Sequence, residues 1–122
     1  MDADTIRDLF VEFGAVHIRR MFGGAGIYAG DVMFGLESDG LIYLKADAGT
    51  VPAFEREKCS PFQYTTKKGK RAVMSYWRLP DRLYDDPVEL AQWAKQAVVV
   101  ARQRAVKKPA AKVRAKRNKA KR

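Results

Sequence analysis

Three glycines fall within four positions at Gly23-Gly24-Ala25-Gly26, between Met21-Phe22 and Ile27-Tyr28. Closely spaced glycines can let a backbone wrap a phosphate. A Walker loop also needs Gly-x-x-x-x-Gly-Lys-Ser/Thr, and here the lysine and hydroxyl are missing. A dinucleotide fingerprint needs Gly-x-Gly-x-x-Gly between a strand and a helix. Here Gly24-Ala25-Gly26 runs straight into Ile27-Tyr28, a second strand pattern. The cluster therefore reads as a turn or bulge, where glycine permits positive φ and close backbone approach.

Other reactive side chains are sparse. His17 is the single histidine and Cys59 the single cysteine. A nucleophilic triad would have to be built on these two, and they read more simply as a strand-edge imidazole and a half-buried thiol. No spacing suits a zinc site. Asp85-Asp86 reads as helix capping, and Glu55 and Glu57 as a solvated helix face. The expectation is no catalytic residue, no metal and no cofactor.

Cations are the richer signal. Lys67, Lys68, Lys70 and Arg71 crowd one hairpin, with Tyr64, Tyr76 and Trp77 close by in sequence. Such a mixture can hold phosphates and stack bases, and it also keeps an edge hairpin soluble. Arg19 and Arg20 alternate along a strand, so at most one of them could join such a patch. The strongest run is C-terminal: Lys107, Lys108, Lys112, Arg114, Lys116, Arg117, Lys119, Lys121 and Arg122. The net charge is +10, yet residues 102–122 hold 11 of the 24 Lys and Arg and none of the 14 acids. The body is close to neutral, and the basic character belongs to the tail. Alanine spacers and Pro109 make this tail similar to the basic arms of nucleoid and linker-histone proteins. It is the expected nucleic-acid-binding segment, with phosphate contacts and no base readout.

The elements that position these residues follow from periodicity. Ile6, Leu9, Phe10 and Phe13 mark one apolar helix face, capped by Asp2 or Asp4 and ended by Gly14. Strands are expected over 17–22, 26–29, 32–37 and 41–46. Gly30-Asp31 and Ser38-Asp39-Gly40 are the turns, and the short links predict an antiparallel meander. A short helix follows Pro52, and two more strands cover 62–66 and 71–79. The last has apolar residues on both sides (Val73 and Trp77 against Ala72, Met74 and Tyr76), so it is read as central or facing another subunit. Asp86-Pro87-Val88-Glu89 is a helix start, followed by the stripe Leu90, Ala94, Ala97, Val98 and Ala101. Residues 1–104 are read as one domain. Residues 105–122 are read as a tail disordered in isolation, for want of apolar surface.

The ordered series Met21-Phe22-Gly23-Gly24-Ala25-Gly26-Ile27-Tyr28, Val32-Met33-Phe34-Gly35-Leu36 and Leu41-Ile42-Tyr43-Leu44-Lys45-Ala46-Asp47 resembles the TfoX (Sxy) N-terminal domain. Phe54, Pro61-Phe62, Met74-Ser75-Tyr76, Leu79-Pro80 and Leu90 through Trp93-Ala94 fit the same pattern. The resemblance implies an α+β fold, an antiparallel sheet of about five to six strands flanked by N- and C-terminal helices, similar to secretion chaperones. It implies a link to the regulation of DNA uptake and competence genes in bacteria, and no catalytic motif. Where longer family members carry a second, helical domain, this chain has the basic tail.

The leading expectation is a non-enzymatic regulatory module whose tail binds nucleic acid non-specifically. The alternative is a chaperone-like or adaptor protein that holds a protein partner on its sheet face. A third reading is an enzyme that uses the Gly24–Tyr28 region and the Lys67–Arg71 hairpin for a phosphorylated ligand. A homodimer through a sheet edge or face is a further partner expectation. No apolar run reaches the ~18 residues of a membrane span and no secretory leader is read, so a cytoplasmic protein without membrane contact is expected.

Overall fold

The computed structural model describes residues 1–21 and 23–121, with side chains up to Arg104. The expected strand end at Phe22 lies outside the described residues. Helix α1 (Ala3–Leu9) is capped by the Asp2 carboxylate, which accepts from the Thr5 N–H at 2.8 Å. Its regular part ends before Phe10, and turns carry the chain to Gly14, whose N–H reaches the Phe10 carbonyl at 2.9 Å. The predicted aromatic face is real: Phe10 and Phe13 pack on Phe34 with ring centroids 5.6 and 5.2 Å away.

Six strands follow: β1 (His17–Met21), β2 (Gly24–Ala29), β3 (Val32–Ser38), β4 (Leu41–Lys45), β5 (Pro61–Thr66) and β6 (Gly69–Arg78). All neighbours are antiparallel, in the order β1-β2-β3-β4-β6-β5. The fold is α+β. The meander expected from the short links covers β1–β4. The last two strands then enter in reverse, with β6 beside β4 and β5 at the edge. Burial accounts for this: β6 carries the buried Tyr76 and Trp77, whereas Gln63, Tyr64 and Thr65 of β5 are exposed. Pro61 opens β5, where an edge strand tolerates a missing N–H.

One irregularity shapes the centre. The β2–β3 register shifts between Ile27↔Gly35 and Tyr28↔Met33, leaving Phe34 as an extra residue in β3. A bulge of this kind bends the strand and changes which side later residues face. Phe34 and Gly35 are thereby both buried, and Leu36 lines up with Gly26 on the opposite face.

Three helices cover one face of the sheet. The Thr50 to Arg56 region supplies α2 (Val51–Arg56), which packs near β6, and a 3-10 turn (Asp81–Asp85) leads into α3 (Pro87–Lys121). Asp86 caps α3 as expected, its carboxylate accepting from the Glu89 N–H at 3.1 Å. Leu90, Ala94, Ala97 and Ala101 are buried, and α3 lies on β3 and β4. Beneath the helices sit Ala25, Ile27, Phe34, Ile42, Leu44, Trp77 and Leu79. Each fully buried large aliphatic or Phe side chain contributes about 1.5–3 kcal/mol over its exposed state. The Tyr84 hydroxyl accepts from the Ile42 N–H at 2.8 Å, pinning the 3-10 turn to β4. The division after residue 104 and the expected arm concern the end of α3, where side chains are outside the described residues.

Candidate functional site

The second face of the sheet has no helix over it among the described residues. The register puts Arg19, Gly26 and Leu36 in one cross-strand row, followed by Tyr43 and Arg78. Tyr28 and Met33 form a neighbouring pair, as do Lys45 and Tyr76. The face is therefore aromatic and methionine-rich, with cations laid across it. Arg19 sits 5.8 Å from the centroid of Tyr28, and the Lys45 ammonium 4.6 Å from that of Tyr76. Such contacts stabilise by about 0.5–1 kcal/mol when exposed. Burial, with Tyr28 adding to it, pushes the Tyr76 phenol up to about 12. Its hydroxyl reaches the Met33 carbonyl at 3.4 Å. Burial likewise pushes the Tyr43 phenol up.

At the β5 side, an aromatic row climbs from the sheet to solvent. Tyr43 meets Phe62 edge-on at 4.9 Å, and Phe62 and Tyr64 lie within 24° of parallel at 6.3 Å. Between this row and the β1–β2 turn lies a cleft of about 290 Å³. It is lined by Gly23 and Gly24 of the turn and β2, by Leu36, Glu37 and Ser38 of β3, and by Phe62, Tyr64 and Thr65 of β5. The structure thus brings the glycine cluster and the basic hairpin's own strand together.

The glycines divide their roles. Gly23 takes φ +78 in the turn. Gly24 and Gly26 lie inside β2, which starts two residues earlier than expected. A Cβ on Gly24 would overlap the Glu37 carbonyl oxygen. A Cβ on Gly26 would meet the Met21, Met33 and Tyr28 side chains at 2.9–3.0 Å. The first glycine allows strand pairing and the second leaves room for side chains on the open face.

Of the three rings expected beside the basic hairpin, Tyr64 alone is freely exposed, at 47%. Trp77 points into the core, with its indole N–H on the Met74 carbonyl at 2.9 Å, and Tyr76 is covered. Tyr28, Tyr43 and Phe62 were not singled out by their place in the sequence. Their i, i+2 spacing with Gly26, Lys45 and Tyr64 is the signal that marks them. The expected split of Arg19 and Arg20 is present. Arg20 turns to the other side, 3.8 Å from the Glu37 carboxylate. That carboxylate is 4% exposed, accepts from the Gly40 N–H at 2.9 Å and lies 3.5 Å from the Met1 amino group.

His17 belongs to β1 at one edge of the sheet, and Cys59 leads into β5 at the other. Burial pushes the Cys59 thiol up, away from thiolate. Among the described residues no group of three or more His, Cys, Asp or Glu could hold a metal ion. Arg82 forms a strap between elements, bonding Glu57 at 2.7 Å and Glu89 at 2.8 Å. Glu89 also accepts from the Trp93 indole at 3.1 Å. Hydrogen bonds from Arg82, then Trp93, hold the Glu89 carboxyl down to about 2, and those from Arg82 lower Glu57. Lys107, Lys108, Lys112, Arg114, Lys116, Arg117, Lys119 and Lys121 fall in the last part of α3, with side chains outside the described residues, as is the whole of Arg122.

A twisted antiparallel sheet, wrapped by helices on one face and carrying basic and aromatic residues on the other, defines a class of small α+β sheet modules. The chain belongs to the TfoX N-terminal domain family, whose model matches residues 8–101. Over 87 residues it is 30% identical to the DNA transformation protein TfoX1 of Aliivibrio fischeri. That match takes in 71% of this chain and 41% of the relative, so the chain spans about two-fifths of the relative's length.

Proposed function

We propose that the chain is a non-enzymatic regulatory module linked to competence for DNA uptake, whose basic tail holds nucleic acid non-specifically. Membership of the TfoX N-terminal family, and the likeness to a protein named for DNA transformation, support the regulatory part. The observation that carries the nucleic-acid part is charge segregation: 11 cations and no acid in residues 102–122, beside a nearly neutral body. Lys and Arg at one- to four-residue intervals neutralise successive phosphates and release counterions. The reading places the chain in the cytoplasm, where Cys59 stays reduced.

The test is duplex DNA retention by the full chain and by a form lacking residues 105–122, across a salt series. With six phosphate contacts, log K for the full chain falls against log salt with a slope of about −5. The shortened form loses most of this binding. Its melting temperature stays nearly unchanged, because the described core ends at Ala101. Equal duplex binding by both forms would remove the tail from the mechanism.

A further inference from the structure

We propose that the open sheet face and the β5–β6 hairpin form a site for single-stranded nucleic acid, independent of the tail. Three observations on the described residues converge on it. The first is shape. The cleft of about 290 Å³ between Gly24, Leu36 and Tyr64 opens beside a ring that is 47% exposed. Phe62 backs that ring nearly in parallel and Tyr43 backs Phe62 in turn. Tyr64 is thus held from one side, with aromatic surface turned to solvent.

The second is charge. Residues 17–29 and 59–80, which supply β1, β2, β5 and β6, contain no Asp or Glu, and the one acid lining the cleft, Glu37 of β3, keeps its buried carboxylate on the Gly40 N–H and near the Met1 amino group. Arg19, Lys67, Lys68, Lys70 and Arg71 make no ion pair among the described residues. Lysines alone would serve to keep an edge hairpin soluble, and the exposed Tyr64 ring beside them is what that role leaves unexplained. A run of cations with no acid beside it fits a polyanion. It also disfavours a second copy on this face, since a two-fold partner would bring the same unpaired cations of the hairpin.

The third is the arrangement of the two. Arg71 pairs with Tyr64 across the β5–β6 ladder and Lys70 with the adjacent Thr65, while Arg19 lies on β1 at the far edge of the sheet. A backbone tracked by cations, with bases laid on aromatic side chains, is how single strands are held without sequence preference. A duplex keeps its base faces stacked inside and has none to offer Tyr64. The tail needs only phosphates, whereas this site needs an unstacked base.

Fluorescence anisotropy on the full chain tests the site. The probes are oligodeoxyuridylate, oligouridylate and a duplex of equal length, each across a salt series. Single strands stay bound at salt that releases the duplex. Tyr64→Ala weakens single-strand binding by roughly tenfold, from the loss of one stacked base, and leaves duplex binding unchanged. Tyr64→Phe keeps the ring and keeps the binding. Replacing Lys67, Lys68 and Lys70 with Gln lowers the single-strand salt slope by about 2. Preference for one oligomer over the other, with the same Tyr64 response, supports the site and assigns its sugar. Equal affinities of wild type and Tyr64→Ala for single strands would overturn it, leaving all binding to the tail. So would a concentration-dependent dimer that Tyr64→Ala disrupts without any single-strand preference, which would give the face to a second copy.

Discussion

Gly24 and Gly26 lie on the same side of β2, yet their missing side chains serve different neighbours. At Gly24 the obstacle is backbone, the Glu37 carbonyl, which moves only if the β2–β3 pairing moves. At Gly26 the obstacles are the flexible ends of Met21 and Met33, along with the Tyr28 ring. Gly24→Ala should therefore cost about 1–3 kcal/mol, in the range of overpacked sites. Gly26→Ala should cost less, because its neighbours can shift. Urea denaturation midpoints check the order, and a larger loss at Gly26 would contradict it. The sequence showed that these glycines are not a phosphate loop, because the lysine and hydroxyl are absent. It could not show which glycine touches backbone, because that depends on the partner strand. Arg19 and Arg20 were legible as a pair split between faces, since alternation alone decides it. Trp77 and Tyr76 were not legible as withdrawn from the hairpin patch, because only the packed sheet covers them.

The same contrast holds for elements. Strand positions and the Asp86 cap of α3 follow from local pattern and turn chemistry. The reversal of β5 and β6 does not. It depends on which of the two strands has apolar residues to bury on both faces once β4 offers an edge. Nor does the Arg82 strap, which links Glu57 after α2 to Glu89 in α3 across 32 positions. The folded-state pKa values of Glu57 and Glu89 are depressed, Glu89 to about 2. Stability from the strap is thus present above the ordinary Glu value of about 4.3 and is lost as pH falls towards 2. Melting temperature should drop across that acid window, and drop less in Arg82→Met, which starts lower at neutral pH. Thermal melts from pH 7 downwards test this. Parallel pH profiles for the two proteins would show that the strap contributes nothing. Added salt should narrow their difference at neutral pH, since all three side chains meet solvent.

At the scale of the whole molecule, acid and alkaline limits arise from different places. The phenols of Tyr43, Tyr76 and Tyr84 are all raised by burial, Tyr76 to about 12. A raised folded-state pKa gives stability that is complete below the ordinary phenol value of about 10 and lost as pH climbs through the folded value. Unfolding and tyrosinate absorbance should therefore appear together above that value, and Tyr76→Phe should weaken the alkaline loss. Tyrosinate absorbance rising fully before the fold melts would show that the rings are not shielded. Charge segregation was plain in the sequence, because composition needs no fold to be read. The open face was not, because it appears only when six strands share a register. That register has a further consequence. Every strand pairing joins neighbours along the chain except β4 with β6, where Tyr43 meets Arg78, 35 positions on. The sheet is thus two locally closed halves joined at one seam. Local pairs close quickly and distant ones wait for the chain between them to be ordered. During synthesis the first half can be complete while the second is still being made, with the edge of β4 open in the interval. Closing the seam is then the slow step, and the β4 edge is the part a nascent chain most needs to keep covered.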